Sequence, residues 1–384
     1  MQVYLDNSAT TRPCAKCIEA MNESMLSDFY NPSALYAPAM HAEKAVAEAR
    51  SVIAASLQAN AKNVIFTSGG TESDNLAIWG YLSALRKPGE VLYTAAEHAA
   101  VKNACMEAEQ RFGAKAREIP LTQTGTVDLK ALAEMLGSDT QLICVMQVCN
   151  ETGVIMPLDE ICAMRDRLAP QAAIHVDGVQ GYLRVPFSFK KTKVQSYALS
   201  AHKIHGPKGV GALVLADGVR IKPQMAGGGQ QNNLRSGTEN TTGIAGLKAV
   251  VQAYPSEGYA HMKALKEELV HLLQAALPEM QVVGLPVEEE SSAAHILNVA
   301  FPPVRAETLL HALEDDGICV GTGSACSSKK GKHSSVLMAM KCSNAVMDGA
   351  IRISLCPGNT LDEMQYTAEK IIEKVTMLRR FTRR

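Results

Sequence analysis

Several marks of membrane, secreted and nucleic-acid-binding proteins are missing from this sequence. Its 384 residues include one tryptophan, and no apolar run is long enough for a membrane helix. Neither charge is in excess, because 38 Lys and Arg balance 39 Asp and Glu, so non-specific binding to nucleic acid is not expected. The start, MQVYLDNSATTRPC, has no basic region followed by an apolar stretch, and we therefore predict no signal peptide.

Ten cysteines are spread along the chain, unlike the dense pattern of a small disulfide-bonded domain. This distribution favours free thiols in a reducing cytoplasm. Cys14 and Cys17 form a CxxC pair, but no second pair or histidine pair follows at the spacing of a zinc site. We interpret them as two cysteines on one helix and predict no metal. A sulfur or metal carrier that uses these thiols is the non-enzymatic alternative.

Short apolar runs typical of strands alternate with segments of helical periodicity from about residue 40 to 245. The candidate strands lie at 63–68, 90–95, 141–149, 172–178, 194–200 and 211–216. Such alternation predicts βαβ units and a mostly parallel, buried sheet. After about residue 245 helices and short strands are mixed, and a helix over about 246–277 is predicted to break near Pro255. This part is typical of a smaller α+β domain.

Lys203 stands in the segment SAHKIHGPKGVG, just after a predicted strand that ends near Leu199. Parallel sheets bind their ligands at the carboxyl edge of the strands, and partial burial there lowers the pKa of a lysine. A lysine of this kind is suited to form a Schiff base. An ordinary surface lysine in a connection between a strand and a turn explains the segment equally well.

Asp177 ends another predicted strand, in AAIHVDGVQ, and is expected at the same edge of the sheet. A carboxylate there could keep a pyridinium nitrogen protonated, and an aspartate that caps the turn before Gly178 is the alternative. The glycines of TSGGTES, residues 67–73, precede a helix whose N-terminus could hold a phosphate, although Gly-Gly turns before helices are common. Thr71 and Asp74 predict a capping box at this helix start.

Cys326 lies in VGTGSACSS, a stretch rich in glycine and serine, and Lys and His residues follow within 329–333. Small neighbours leave a thiol accessible, glycines let a segment move, and nearby positive charges favour the thiolate. We therefore predict that Cys326 is a mobile nucleophile, whereas cysteines within apolar runs are predicted to be inert core residues.

The order of these segments resembles that of the cysteine desulfurases of the NifS/IscS kind, within the class V aminotransferase-like group of pyridoxal phosphate (PLP) enzymes. The resemblance runs nearly end to end through YLDNSATT, NPSALY, IFTSGGTESDN, AEHAAV, NETGVIMPL, HVDGVQ, SAHKIHGPKGVGAL, GGGQQNNLRSGT, ILNVAF, GSACSS and IRISL. It implies PLP fold type I, an α/β fold with a large doubly wound domain at 14–250 and a smaller α+β domain at 1–13 and 251–384. It also implies a homodimer whose active site lies at the subunit interface.

The resemblance further implies roles for individual residues. Lys203 would bind PLP, Cys326 would accept sulfur, and His98 would stack on the ring and help to move protons. Asp177 would pair with the ring nitrogen, and Gln180 would bind the phenolic oxygen. The residues implied to hold the phosphate are Gly70, Thr71, Ser200, His202 and Thr238 of the partner subunit. Those implied to bind the substrate carboxylate are Arg352, Asn31 and Asn150, of which Asn150 also contacts the cofactor.

The implied reaction takes sulfur from free L-cysteine and leaves L-alanine and a persulfide on Cys326. A sulfur-acceptor protein, either an iron–sulfur scaffold or a tRNA-thiolation enzyme, would then take the sulfur, without direct contact to nucleic acid or a membrane. A selenocysteine lyase or another class V enzyme is the alternative, and the GSAC segment argues against it. The chain departs from the family in a basic segment after Cys326, in Gly70 where alanine is frequent, and at 355–357, where glycine is expected.

Overall fold

A seven-stranded sheet forms the centre of the protein in the computed structural model, which describes residues 1–322 and 333–382. Its strands are β2 (Val64–Thr67), β3 (Glu90–Thr94), β4 (Lys115–Ile119), β5 (Thr140–Met146), β6 (Ala173–Asp177), β7 (Ser196–Ser200) and β8 (Gly211–Leu215). They lie in the order β2-β8-β7-β6-β5-β3-β4, and β8 runs antiparallel to both of its neighbours. The pairs from β7 to β4 are parallel, which confirms the predicted mostly parallel α/β sheet.

The helices of this part connect the strands and bury one apolar face each. They are α1 (Ala15–Ser27), α2 (Ala37–Ser56), α3 (Gly70–Ala84), α4 (Ala99–Phe112), α5 (Leu129–Met135), α6 (Leu158–Leu168) and α7 (Thr241–Ala253). In α2 the buried residues Val46, Ala49 and Ile53 recur at helical spacing. Helix α7 packs against α1 and α2, and α3 packs against α4. Every residue of β6, β7 and β8 is buried, so these strands read as apolar runs without alternation.

A second group of elements surrounds a separate apolar cluster that runs from Val3 to Val375. Its strands are β1 (Val3–Tyr4), β9 (Gln281–Val282), β10 (Ile296–Ala300), β11 (Ile318–Cys319) and β12 (Ala350–Ser354). The helices of this part of the chain are α8 (Gly258–Ala276), α9 (Ala306–Glu314), α10 (Ser335–Ala339), α11 (Asn344–Gly349) and α12 (Leu361–Thr382). The short helices α10 and α11 bury Val336, Leu337 and Val346 in the cluster of the central sheet instead. Strand β10 pairs antiparallel with β12 and β9, and β1 pairs parallel with β11. The domain boundaries given above stay a prediction.

The structure differs from the sequence predictions at two elements. Strand β4 was missed because KAREI carries three charged residues and lies half exposed at the edge of the sheet. The capping box is wrong, because α3 begins at Gly70 with Gly69 as its N-cap, and Asp74 is buried inside the fold. The predicted break near Pro255 is confirmed, since α7 ends at Ala253 and α8 begins at Gly258. Within the two described ranges, every helix is too short or too polar to cross a membrane.

Candidate active site

Three of the predicted residues meet at the carboxyl edge of the central sheet. Asp177 is the last residue of β6, and β7 beside it continues from Ser200 into a short 3-10 turn that carries Lys203. Burial raises the pKa of Asp177, while electrostatic interactions with His98 and Lys203 nearby lower it. The sheet therefore brings an amine and an imidazole within electrostatic reach of one carboxylate, as the parallel topology predicts.

The amine of Lys203 is partly buried and is fixed by two backbone carbonyls. Its Nζ donates to the carbonyl oxygens of Ser8 and Ala9, at 2.6 and 2.9 Å. Burial lowers its pKa to about 8, and the positive charges of Arg352 and Arg184 contribute to that shift. An amine with this pKa carries a substantial neutral fraction near neutral pH and can therefore react as a nucleophile or a base.

Asp177 is held in a fixed orientation by the backbone that follows it. Its Oδ1 accepts a hydrogen bond from the Val179 N–H at 2.9 Å, and the residue is only 5% exposed. The ring of His98 is exposed beside it. This histidine is the N-cap of α4, and its Nδ1 accepts a hydrogen bond from the Ala100 N–H at 3.2 Å. The cap therefore occupies Nδ1, and Nε2 takes no part in it.

Gly69 and Gly70, which have no side chains, form a cradle at the start of α3. Gly69 has φ +152°, a conformation that favours glycine, and a β-carbon there would lie 3.6 Å from Ser200 Oγ. Gly70 begins the helix, so its first N–H groups have no partner inside the helix. Thr71 is exposed in the first turn, and Ser200 is buried beside the glycines. Such a helix start binds a phosphate group well.

Other predicted residues lie elsewhere in this region or away from it. The Nδ1 of His202 lies 3.1 Å from Thr10 Oγ1, and burial lowers the pKa of this histidine to about 4, so its ring is neutral. Asn31 is exposed between α1 and α2, where its Oδ1 accepts from the Ser33 N–H at 3.0 Å. Thr238 is exposed between β8 and α7. The site roles of His202, Asn31 and Thr238 therefore stay predictions.

Sequence reasoning missed Arg184, which supports the site from behind. It lies buried, donates to Gln180 Oε1 at 2.8 Å, and also donates to the carbonyl oxygen of Lys203. The side-chain nitrogen of Gln180 in turn donates to the Ser8 carbonyl at 2.9 Å. An arginine four residues after Gln180 gives no pattern in the sequence that separates it from a surface arginine.

Arg352 is the second cation of the site and lies on β12. Its Nη2 lies 2.7 Å from Asp6 Oδ1, and its Nη1 donates to the Asn150 carbonyl oxygen at 2.9 Å. The backbone of Arg352 pairs with that of Gly321. Cys326 lies outside the described residues. Asp6 was also missed, although it stands in the segment YLDNSATT.

These parts fit PLP and define a class of enzyme. The buried Asp177 carboxylate suits a protonated ring nitrogen, Lys203 suits an aldehyde, and the glycine cradle at the start of α3 suits a phosphate. In the ranges the structure describes, His, Cys, Asp and Glu side chains form no group of three or more that could hold a metal ion. The fold and the site are those of a fold type I PLP enzyme.

Known proteins are similar to this chain over almost its whole length. The aminotransferase class-V family model matches residues 3–367. Cysteine desulfurase 2 of Trichormus variabilis is 36% identical over 378 residues, which cover 98% of this chain and 92% of the relative. A solved NifS-like protein has a TM-score of 0.91 at 33% identity and covers 98% of this chain and 100% of its own. SspA in complex with cysteine has a TM-score of 0.82 at 28% identity, with coverage of 94% and 100%.

The chain belongs to the aminotransferase class-V family and, within it, to the cysteine desulfurases of the NifS/IscS type. Enzymes of this group depend on PLP and take sulfur from L-cysteine, and this chain is one of them. The resemblance read from the sequence is therefore confirmed, together with the fold, the activity and the cofactor.

Proposed function

We propose that this cysteine desulfurase moves the sulfur of L-cysteine onto Cys326, with Lys203 as the base. The observation that carries the proposal is the Lys203 amine, fixed by the Ser8 and Ala9 carbonyls within electrostatic reach of Asp177 and Arg352. Bound PLP supplies an electron sink for the Cα–H bond of the substrate. Asp177 would hold the ring nitrogen protonated, and Gly70, Thr71 and Ser200 would hold the phosphate.

The other residues of the site orient the substrate and move protons. Arg352 binds the carboxylate with its fixed guanidinium, and Asn150 lies beside it. Lys203 removes the Cα proton with its neutral amine, because its lowered pKa leaves that form populated near neutral pH. His98 exchanges protons through the exposed edge of its ring, and Gln180 donates a hydrogen bond to the phenolic oxygen.

Sulfur transfer needs a thiolate and no external oxidant. The Cys326 thiolate attacks the substrate sulfur, so that a sulfur–sulfur bond forms while the carbon–sulfur bond breaks. The electron pair of the broken bond stays with carbon, which takes protons and becomes L-alanine. The transferred sulfur loses the two electrons that the carbon gains, so it is oxidised as the carbon is reduced, and it remains as the outer sulfur of a persulfide on Cys326.

Two substitutions test these roles separately. Lys203→Ala is expected to abolish alanine release. Cys326→Ala is expected to keep the visible spectrum of bound PLP and its response to L-cysteine, but to lose alanine release and the persulfide, measured by amino-acid analysis and mass spectrometry. Cys342→Ala removes another partly exposed thiol and serves as the matched control, with wild-type rates expected.

An unchanged rate of alanine release in Cys326→Ala would show that another group accepts the sulfur. In that case the selenocysteine lyase alternative gains support, and assays of selenide and keto-acid release from the corresponding amino acids would separate it from a further class V activity. We regard the desulfurase assignment as the better supported one because the relatives reported above are cysteine desulfurases and a solved neighbour binds cysteine.

We also propose a homodimer, supported by apolar side chains exposed between the end of α1 and the start of α2. Monomeric proteins rarely expose several large apolar side chains close together. Those exposed here are Leu26 (79%), Phe29 (65%), Leu35 (95%) and Met40 (60%). Thr238 of the partner subunit would complete the phosphate site. Leu35→Asp is expected to give monomers in sedimentation, whereas Met106→Asp, on α4, is expected to leave dimers intact.

The sulfur acceptor is proposed to be an iron–sulfur scaffold or a tRNA-thiolation enzyme of the cytoplasm. Lys329, Lys330 and Lys332 follow Cys326 in the sequence, so an acceptor with an acidic surface is favoured. Trapping the persulfide of Cys326 on its partner, followed by mass spectrometry, would identify the acceptor. The identity of the trapped partner would show which of the two acceptors, the iron–sulfur scaffold or the tRNA-thiolation enzyme, takes the sulfur.

A further inference from the structure

We infer that Asp6 is a positioning residue for the substrate, because it fixes the guanidinium of Arg352 so that the substrate carboxylate meets the remaining N–H donors. The inference rests on the proposed function, in which Arg352 binds that carboxylate. Asp6 and Arg352 lie 346 residues apart in sequence and form an ion pair of 2.7 Å between Oδ1 and Nη2.

Some N–H donors of Arg352 already have hydrogen-bond acceptors in the protein, and others are available for the substrate. A guanidinium has five N–H donors. Asp6 takes one from Nη2, and the Asn150 carbonyl takes one from Nη1 at 2.9 Å. The Nε of Arg352 is buried and has no hydrogen-bond partner in the described chain. A buried N–H without a partner is costly, and a carboxylate bound in bidentate fashion satisfies it.

Asp6 can hold this position because its own backbone is fixed. Its carbonyl oxygen accepts from the Ala9 N–H at 3.0 Å and from the Tyr4 hydroxyl at 3.1 Å. The backbone of Gly321 closes the other side, since a β-carbon there would lie 2.8 Å from Asp6 Oδ1 and 3.1 Å from Arg352 Nη2. Gly321 therefore packs closely on the ion pair, and the hydrogen bonds to Asp6 and Asn150 limit rotation of the guanidinium.

The same segment links this pair to the reacting amine. Ser8 and Ala9 provide the carbonyls that hold Lys203 Nζ, and they follow Asp6 by two and three residues. The charges of Asp6 and Arg352 act on Lys203 with opposite signs, which places both side chains near the amine. Asp6 thus sets the carboxylate site at a fixed place relative to the base that takes the Cα proton.

Amino acids with and without a free carboxylate test the inference. The probes are L-alanine and L-alanine methyl ester, whose binding is followed by the visible spectrum of the PLP-bound enzyme. Asp6→Asn is expected to weaken L-alanine binding roughly tenfold and to leave the ester unchanged, because a charged hydrogen bond that orients Arg352 is lost. KM for L-cysteine should rise by a similar factor, and kcat should change much less.

A second background shows whether Asp6 acts through Arg352. When Arg352→Gln already lacks the guanidinium, adding Asp6→Asn should weaken L-alanine binding no further. Asp217→Asn removes an exposed carboxylate at the end of β8 and is the control, with wild-type affinities for both probes expected. If Asp6→Asn retained no PLP, the binding of both probes would be measured with Asp6→Glu instead. This variant should also weaken the binding of L-alanine and leave the binding of the ester unchanged.

Three results would overturn the inference. These are wild-type or tighter binding of L-alanine by Asp6→Asn, an equal loss for both probes, and a further loss in the Arg352→Gln background. Tighter binding would mean that Asp6 competes with the substrate for Arg352. A wild-type enzyme that binds PLP but shows no response to L-alanine or L-cysteine would instead overturn the proposed function, and this inference with it.

Discussion

The ring of Tyr197 fills the space that a β-carbon on Gly178 would need. A β-carbon there would lie 1.9 Å from the ring carbon Cζ and 2.3 Å from the hydroxyl oxygen. That hydroxyl donates to Gln147 Oε1 at 2.6 Å, and both residues are buried. Because Gly178 directly follows Asp177, the ring of Tyr197 supports the turn on which the carboxylate of the site depends.

Gly178→Ala is therefore expected to destabilise the fold and loosen the cofactor site. Overpacking of a buried site costs about 1–3 kcal/mol, and an overlap this close places the variant at the upper end or beyond. The expected result is a lower melting temperature and loss of PLP on dialysis, followed by absorbance. Gly137→Ala is the matched control, because a β-carbon there meets no atom within 4 Å. Equal melting temperatures for the two variants would contradict the packing argument.

Gly70 and Val179 form a second pair of this kind, at the phosphate cradle. A β-carbon on Gly70 would lie 2.6 Å from Val179 Cγ2, so the valine methyl occupies the place that an alanine methyl would need. Gly70→Ala alone is expected to weaken PLP binding several-fold, measured by titration of the cofactor-free protein. The double variant with Val179→Ala should recover most of that loss, because the overlap is removed. If the double variant did not recover PLP binding, the overlap with Val179 would not be the cause, and the defect would lie in the helix start itself.

The lowered pKa of Lys203 predicts how the cofactor-free protein takes up PLP at different pH. The neutral amine reacts with the aldehyde, and a pKa of about 8 leaves roughly a tenth of it neutral at pH 7, far more than an ordinary lysine has. The uptake rate should rise with pH and level off above about 8. Arg352→Gln removes a positive charge that lowers this pKa, so its profile should shift to higher pH. An unchanged profile would show that the charge does not act on the amine, and a shift to lower pH would contradict the sign of its effect.

The sequence predicted the sheet and the residues at its edge because both follow from local patterns. Apolar runs with helical segments between them place β6 and β7 side by side, and the ends of these strands then bring Asp177 and Lys203 together. The family resemblance added His98 and Arg352 to the predicted site, which spacing alone does not connect. The structure brings His98 within electrostatic reach of Asp177, and Arg352 within electrostatic reach of Lys203.

What the sequence could not predict depends on contacts between distant segments or on sheet position. Asp6 and Arg352 are in contact although they lie 346 residues apart in sequence. No pattern in the sequence indicates a contact between such distant residues. Arg184 resembles any surface arginine until the fold buries it beside Gln180 and Lys203. The start of α3 was misplaced because Thr71 and Asp74 have the spacing of a capping box, whereas burial of Asp74 against His175 decides its actual partner.

Glu97 is a buried carboxyl group near Asp177, and its protonation makes the stability of the protein depend on pH. Its Oε1 accepts from the Thr94 hydroxyl at 2.6 Å and from the Met146 N–H at 2.7 Å, so it joins the ends of β3 and β5. Burial raises its pKa from 4.5 to about 8, and the negative charge of Asp177 adds to the shift. Between these two values the folded protein keeps a proton that the unfolded chain has lost, so this group makes stability fall as pH rises.

Glu97→Gln removes that slope and keeps both hydrogen bonds, because the amide oxygen can accept them. Relative to wild type, its free energy of unfolding should increase with pH by at most about 1.4 kcal/mol per pH unit between about pH 5 and pH 8. Urea unfolding of the PLP-bound proteins at both ends of this range measures the difference. Glu118→Gln, on the exposed edge strand β4, is the control and should show no such trend. A Glu97→Gln variant whose stability follows wild type at every pH would mean that Glu97 is ionised beside Asp177, and that the two carboxylates are then balanced by the cations of the site.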